Sequence, residues 1–327
     1  MIGARELSNG EETSMGESAV KRRQRRVDGT SGAWYPRWFW PSFASPSILW
    51  LAAFFVLPFY VVISVAFGTT DFFRNPLPVY QPWYWSAEGF REVLGRFVGT
   101  NAFFRPALIR TLVYVPSATL LCLVVGYGIA YYVARHAART RSVLLGSLIA
   151  PFLISYLMRI YAWQGLLQQA GWIDKILVAL HLTHDPINWL DGKPITVVFG
   201  LMYGYLPYMI LPLFAQLDRI DRNLLESGRD LGASPARTFW RVTLPLSKPG
   251  ILAGLAIVSL PMFGDYFTNN LLSTPKTAMV GNLIDNAIAS PGEGPQAGSL
   301  VLLLTALLLV PMLYYLRSSN RIRAASR

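Results

Sequence analysis

Long apolar stretches alternate with short polar segments along most of this chain. Six of these stretches are long enough, and poor enough in charged residues, to cross about 30 Å of membrane hydrocarbon as helices. They are residues 48–67, 111–134, 143–163, 196–217, 251–272 and 299–316. Pro261, Gly264 and Asp265 interrupt the fifth stretch, which makes it the weakest of the six. The pattern predicts an all-α integral membrane protein with six transmembrane helices.

The distribution of positive charge predicts how these helices are oriented. The chain has 29 Lys and Arg residues against 18 Asp and Glu residues, a net charge of +11. The basic residues concentrate in the N-terminal segment, in the loops at 135–141 and 219–248, and at the C-terminus. Because Lys and Arg accumulate in cytoplasmic loops, both termini are predicted to be cytoplasmic. The excess charge therefore fits contact with membrane lipids, and no nucleic-acid partner is expected.

Composition divides the chain into four regions. Residues 1–33 have no apolar periodicity and are expected to form a disordered basic cytoplasmic tail. Residues 34–46 gather aromatic side chains that favour the membrane interface. The six-helix transmembrane domain is expected at 47–317, and a cytoplasmic C-terminal tail at 318–327.

Several classes of chemistry are excluded by missing motifs. Only 14% of the residues are charged, against about 25% in soluble domains. The single Cys122 permits no internal disulfide, and the three histidines have neither zinc-site nor nucleophilic-triad spacing. Gly192-Lys193 is followed by Pro194, so it is not a phosphate-binding loop. We therefore expect no catalytic residues, no metal and no cofactor in this chain.

The loop at 218–248 has the helix signals of a docking element. Asp221 is a good N-cap, and Gly232 is placed to end the first short helix. Ser234-Pro235 is a second helix start, and Leu244-Pro245 is expected to end the second helix. A helix–turn–helix that is apolar on one face and charged on the other is suited to a groove on a partner.

The same loop resembles the EAA motif of inner-membrane permease subunits of binding-protein-dependent ABC importers. The family pattern is E-A-A, three residues, G, nine residues and then I-x-L-P. Here Glu226-Ser227-Gly228, Gly232 and Val242-Thr243-Leu244-Pro245 keep that spacing. The resemblance implies the type I ABC importer permease fold and a coupling helix that contacts an ATPase. The coupling residues that it implies are Glu226, Ser227, Gly228, Arg229, Asp230, Gly232, Leu244 and Pro245.

The resemblance extends from about residue 48 to 316 and narrows to the spermidine/putrescine permease subgroup. Segments 158–163, 203–212 and 274–284 resemble that subgroup. It implies a multi-pass subunit in a bacterial inner membrane that imports a polyamine by alternating access. The implied partners are a cytoplasmic ABC ATPase dimer that binds ATP and Mg, a second, PotC-like permease chain and a periplasmic solute-binding protein.

Other functions stay open on the sequence. The same importer class also takes opines, amino-acid derivatives and other small organic solutes. An ion-coupled secondary transporter would need intramembrane acids, of which Asp265 is the one clear case. A membrane scaffold without transport activity would leave Asp265 without a role.

Candidate pathway residues follow from the cost of placing charge in a membrane. Asp265 with Tyr266 offers a carboxylate and an aromatic face, the groups that bind an ammonium ion. The alternative is that Asp265 pairs with Arg159 and only holds two helices together. If Arg159 instead faces the pathway, it would favour an anionic or zwitterionic solute. The full candidate set is Asp265, Tyr266, Phe263, Arg159, Tyr161, Trp163, Tyr203 and Tyr205, and interface anchoring or helix packing is the alternative for the aromatic residues.

Overall fold

The structure is a computed structural model that describes residues 39–71, 73, 75–99, 102–136 and 140–325. The predicted tail at 1–33 and the first part of the interfacial segment, 34–38, lie outside the described residues. Of residues 318–327, the backbone is described as far as Ala325, where it continues the last helix.

Helices form most of the described structure and are named here in chain order. They are α1 (Phe39–Leu51), α2 (Leu57–Ala66), α3 (Glu88–Val98), α4 (Arg105–Arg135), α5 (Arg141–Ile149), α6 (Tyr156–Leu167), α7 (Trp172–Ala179), α8 (Pro194–Asp218), α9 (Arg222–Asp230), α10 (Pro235–Thr238), α11 (Leu244–Phe263), α12 (Phe267–Leu272), α13 (Val280–Ala289) and α14 (Gly294–Ala325).

Short turns and one small hairpin connect these helices. The π-helical turns are Ala52–Val56 and Phe239–Thr243, and the 3-10 turns are Pro82–Tyr84, Ala150–Leu153 and Pro275–Thr277. Two short strands, β1 (Thr69–Thr70) and β2 (Pro76–Leu77), pair antiparallel with Thr69 opposite Leu77.

The chain divides after Tyr60 into two compact units. In the first unit, the described residues are helical and include exposed Trp40, Phe43 and Trp50. Trp50 and Phe54 contact each other, with ring centres 4.2 Å apart. Because large apolar side chains are stable when they face lipid, this exposure fits a membrane-spanning helix.

The second unit is built around α4, α8 and α11. Ala118, Cys122, Gly126 and Ala130 recur every four residues and form a row of small buried side chains on one face of α4. A Cβ atom at Gly126 would lie 3.1 Å from Cγ of Met209 on α8. Small residues at this spacing allow two membrane helices to pack closely. The buried apolar residues of these helices form one continuous cluster.

Glycines bring α11 against the same helix. A Cβ atom at Gly254 would lie 2.6 Å from Sδ of Met209, and one at Gly250 would lie 2.6 Å from Cβ of Gln216. Longer side chains at these positions would force α11 away from α8. The two helices are therefore held in direct contact, and the site described below lies where the C-terminal end of α11 meets the middle of α8.

The prediction of an all-α membrane protein is confirmed, and the described residues contain five or six candidate spans, depending on whether one bent pair of helices counts as a span. Five described stretches are long and apolar enough to cross a membrane without interruption: Phe39–Ala66, Arg105–Arg135, Pro194–Asp218, Pro235–Phe263 and Gly294–Leu313. A sixth span requires two bent pieces, Arg141–Leu153 and Tyr156–Ala179, that meet at 89°.

Two of the predicted spans differ from the helices in the structure, one in continuity and the other in its first and last residues. The third, expected as one helix over 143–163, is broken because Ile154 adopts extended backbone and Ser155 is also non-helical after the turn that contains Pro151. The fifth, expected over 251–272, starts earlier at Pro235 and stops at Phe263. The chain turns at Gly264 and restarts as α12, so Asp265 lies at a helix break and not inside a helix.

Candidate functional site

Asp265 is a buried carboxyl group at the break between α11 and α12. Only 7% of the residue is exposed. Its Oδ1 atom accepts a hydrogen bond of 2.9 Å from the backbone N–H of Thr268, in the first turn of α12. One carboxyl oxygen therefore stabilises the restart of the helix, in the manner of an N-cap. The second oxygen is left for other partners.

Two tyrosine hydroxyls donate to that second oxygen. Tyr156 Oη lies 3.0 Å and Tyr205 Oη 3.1 Å from Asp265 Oδ2. Tyr156 is the first residue of α6, which follows the unpredicted break, and Tyr205 lies in the middle of α8. Tyr156 also shares a hydrogen bond of 2.5 Å with Oγ1 of Thr268. The carboxyl group thus joins three helical segments from distant parts of the chain.

A cavity of about 330 Å³ opens beside this carboxyl group. Half of its lining residues are aromatic, and the lining contains one acidic and one basic side chain. The lining residues are Tyr156, Arg159, Gly204, Tyr205, Tyr208, Pro261, Gly264, Asp265, Tyr266 and Phe267. A carboxylate surrounded by aromatic faces is the chemistry that holds an organic ammonium ion, through charge attraction and cation–π contacts.

Arg159 lies in the same cavity but does not pair with Asp265. Its guanidinium carbon is 4.1 Å from the ring centre of Phe152 and 5.5 Å from that of Tyr156. The ion pairs found within 4.0 Å among the described residues involve other side chains. The alternative in which Asp265 and Arg159 form a helix-holding pair is therefore not the arrangement in this structure.

The other predicted pathway residues are divided between the cavity and its surroundings. Tyr266 lines the cavity, whereas Phe263 packs against the helical core. Trp163 contacts Tyr203 edge-on, with ring centres 5.2 Å apart, outside the cavity lining. Tyr161 is 53% exposed and is likewise not part of the lining. Of the eight candidates, Asp265, Arg159, Tyr205 and Tyr266 are brought together.

Two residues that form hydrogen bonds around Asp265 are absent from the sequence-based candidate set. Tyr156 and Thr268 complete the hydrogen bonds around the carboxyl group. The available signal for Tyr156 was Ser155, a helix-starting residue inside an apolar stretch and shortly after Pro151. Thr268 lies three residues after Asp265, the spacing of a capping interaction, and that spacing could have identified it.

The loop at 218–248 forms a second candidate site, away from the cavity. Oδ1 of Asp221 accepts a hydrogen bond of 3.0 Å from the backbone N–H of Asn223, and Oγ of Ser234 accepts one of 3.3 Å from Arg237. Both predicted helix starts are therefore confirmed. At the end of α9, Gly232 has φ +80°, and the N–H of Ala233 donates to Gly228 at 3.1 Å. This is the glycine-ended helix terminus that was predicted.

The predicted end of the second short helix is wrong. Leu244 and Pro245 begin α11, which continues from α10 through the π-helical turn. Pro245 lacks a backbone donor, and the wider turn before it accommodates that loss. One helical stretch of 29 residues, Pro235–Phe263, thus connects the loop with the start of the Asp265 break.

The face of the 218–248 loop that is turned away from the helical core carries exposed apolar and charged side chains. Leu231 is 88% exposed and Trp240 is 66% exposed. Glu226, Arg229 and Asp230 are exposed, and they form no ion pair with another described residue. Such a surface has both the apolar contacts and the free charges that a protein partner needs.

The opposite face of the 218–248 loop packs against the helical core. Phe239 meets the rings of Tyr127 and Tyr131 edge-on, each at 5.7 Å between ring centres. The hydroxyl groups of Tyr127 and Ser247 are 3.0 Å apart. The loop is therefore packed directly against α4 and α11.

Comparison with known proteins identifies the family to which this chain belongs. Residues 93–323 match the family described as binding-protein-dependent transport system inner membrane component. The chain is 32% identical to the spermidine/putrescine transport system permease protein PotB of Escherichia coli (strain K12), over 83% of this chain and 94% of that protein. It is 31% identical to PotB of Haemophilus influenzae, over 83% of this chain and 91% of that protein.

A solved structure shares the fold. A chain of a bacterial alginate ABC transporter, crystallised in complex with an alginate pentasaccharide-bound periplasmic protein, superposes with a TM-score of 0.69. The alignment covers 87% of this chain and 95% of that chain, at 18% sequence identity.

Proposed function

Because this chain belongs to the family of binding-protein-dependent transport system inner membrane components, we propose that it is the permease subunit of an ATP-driven polyamine importer. Substrate moves through the Asp265 cavity, and a separate ATPase provides the energy through the loop at 218–248. The observation that carries this proposal is the Asp265 carboxylate, held by two tyrosine hydroxyls at the wall of an aromatic cavity.

The cavity chemistry supports a cationic solute. A polyamine is a series of ammonium groups joined by methylene segments. An ammonium can be held by Asp265, and the methylenes can lie against Tyr205, Tyr208 and Phe267. The relatives from Escherichia coli and Haemophilus influenzae are named as spermidine/putrescine permeases, which supports the same substrate class.

The helical connection between loop and cavity supports the coupling mechanism. The stretch from Pro235 to Phe263 would span about 40 Å as a straight helix. When the ATPase dimer closes, it moves the loop, and the α11 end that carries Gly264 and Asp265 moves with it. The hydrogen bonds from Tyr156 and Tyr205 then rearrange, which releases the ammonium group and opens the cavity to the other side.

The arrangement in the membrane follows from the basic loops. We place both termini and the loop at 218–248 on the cytoplasmic side of a bacterial inner membrane. The ATPase dimer, with its ATP and Mg, docks on that side. A periplasmic solute-binding protein and a second, different permease chain complete the pathway.

Co-purification tests whether an ATPase docks on the loop. The chain, isolated from its native membrane in mild detergent, is expected to retain a chain that hydrolyses ATP. Leu231→Asp is expected to remove that chain, because Leu231 is the most exposed apolar residue of the loop. Leu182→Asp is the matched control, since Leu182 is 67% exposed and lies on the opposite side in the proposed topology.

A different result separates the proposed function from its rival. If uptake persists in a preparation without any ATPase and follows an ion gradient, the chain is a secondary transporter. If Leu182→Asp removes the ATPase and Leu231→Asp does not, the docking surface is wrongly assigned.

A further inference from the structure

Arg159 is a buried cation without a matching anion. The residue is 8% exposed, and its Nε and Nη1 atoms have no hydrogen-bond partner in the described part of the chain. Its guanidinium group is held instead by the rings of Phe152 and Tyr156. A buried charge without an ion pair is costly. The burial of Arg159 is therefore better explained by a function in the cavity than by a structural ion pair.

Tyr156 separates the two charged groups of the cavity. Its ring contacts Arg159, and its hydroxyl donates to Asp265. The other lining residues are uncharged. The cavity therefore contains one fixed negative group and one fixed positive group, and they do not neutralise each other by direct contact.

Because of this arrangement, a first and a second ammonium group would interact differently with the cavity. The first ammonium is attracted to Asp265. A second ammonium in the same cavity is repelled by Arg159, and the guanidinium already covers a face of Tyr156 that would otherwise offer a cation–π contact. At separations of about 7 Å and an effective dielectric constant of about 20, this repulsion corresponds to roughly a tenfold or larger penalty.

We propose that Arg159 is a charge-selecting residue that limits the Asp265 cavity to one ammonium group at a time. The proposal rests on the proposed function, because it requires amines to pass through this cavity. A diamine can place one end in the cavity while the other end stays outside it. Amines with more closely spaced charges pass more slowly.

The test compares amines of increasing charge in the reconstituted importer. The turnover of uptake is measured with putrescine, spermidine and spermine, each at saturating loaded binding protein, so that the affinity of that protein does not enter. In Arg159→Gln, the turnover ratio of spermidine to putrescine is expected to rise about tenfold over wild type. Arg159→Lys is expected to keep the wild-type ratio, because it keeps the positive charge.

A control variant and a second design make the result decisive. Arg91→Gln removes an exposed positive charge on α3 and is expected to leave the ratio unchanged. Tyr208→Glu adds a carboxylate at the cavity wall, where Tyr208 is 48% exposed, and leaves Arg159 intact. Tyr208→Glu is expected to raise the turnover ratio of spermidine to putrescine, whereas Tyr208→Gln is not. The two Tyr208 variants therefore test the charge-selecting role of Arg159 even if Arg159→Gln does not assemble in the membrane.

The outcomes distinguish this inference from the proposed function. If amines are transported and the ratio is the same in wild type, Arg159→Gln and Tyr208→Glu, Arg159 is not charge-selecting and the inference is overturned. If no amine is transported by the wild-type importer, the proposed substrate class itself fails.

Discussion

Asp265→Asn is expected to lower polyamine uptake about 100-fold while the protein still assembles in the membrane. Two unit charges about 4 Å apart attract by about 4 kcal/mol at an effective dielectric constant of about 20. Desolvation of the charges cancels part of that attraction, which leaves about 2 to 3 kcal/mol. The asparagine oxygen can still accept from the backbone N–H of Thr268, so the helix break is expected to persist. The amide NH2 group then takes the place of Oδ2 and can donate to the hydroxyl oxygens of Tyr156 and Tyr205. The measurement is uptake of labelled putrescine and spermidine in vesicles with matched protein levels.

Two further variants separate charge from general damage. Asp185→Asn removes an acid from an exposed position between α7 and α8 and is expected to leave uptake unchanged. Gly204→Ala keeps every charge, but its Cβ atom would lie 2.7 Å from Cε2 of Tyr156, so the ring whose hydroxyl donates to Asp265 must shift. An uptake loss of about tenfold is expected for Gly204→Ala. Gly128→Ala, where a Cβ atom would meet open space, is its control. Normal uptake by Asp265→Asn would place the pathway elsewhere.

Gly232→Val is expected to abolish coupling between ATP hydrolysis and uptake. Gly232 has φ +80°, a conformation that costs a residue with a Cβ atom about 1–2 kcal/mol, and a β-branched residue more. A Cβ atom at this position would meet nothing within 4 Å, so the effect comes from the backbone and not from a steric clash. The turn after α9 would change, and the exposed face of the loop would no longer match its partner. Uptake and stimulated ATPase activity are expected to fall more than tenfold at normal membrane levels.

Gly232→Asn provides the matched control for this backbone effect. Asparagine adopts left-handed backbone conformations more readily than valine does, so it is expected to retain most of the coupling. If Gly232→Val and Gly232→Asn are equally inactive, the surface of the turn and not its conformation is what matters. Full activity of Gly232→Val would remove the loop from the mechanism.

Local signals explain why the loop could be predicted so closely. Asp221, Gly232 and Ser234 each act within a few residues of their own position, so their effect on the backbone can be read from the sequence. Pro245 misled the prediction because a proline usually ends a helix. Here the π-helical turn at Phe239–Thr243 accepts it and lets the helix continue.

The cavity was harder to predict because its residues come from separate helices. Asp265 was identified because an acid in an apolar stretch is rare and costly. Tyr156 was not, since it is one of many aromatic residues in a stretch whose polar pattern gives no indication of which side faces the cavity. The break at Ile154 and Ser155 brings it there, and that break depends on the backbone of the whole bent span.

The most direct test of the central claim is the ATPase activity of the purified assembly in lipid, with its binding protein and a panel of solutes. The panel contains putrescine, spermidine, neutral amino acids and opine-like compounds. The account predicts strong stimulation by binding protein loaded with either polyamine, and no stimulation with the other solutes. Stimulation by an anionic or zwitterionic solute alone would contradict the polyamine assignment, and an assembly without any ATPase activity would contradict the importer itself.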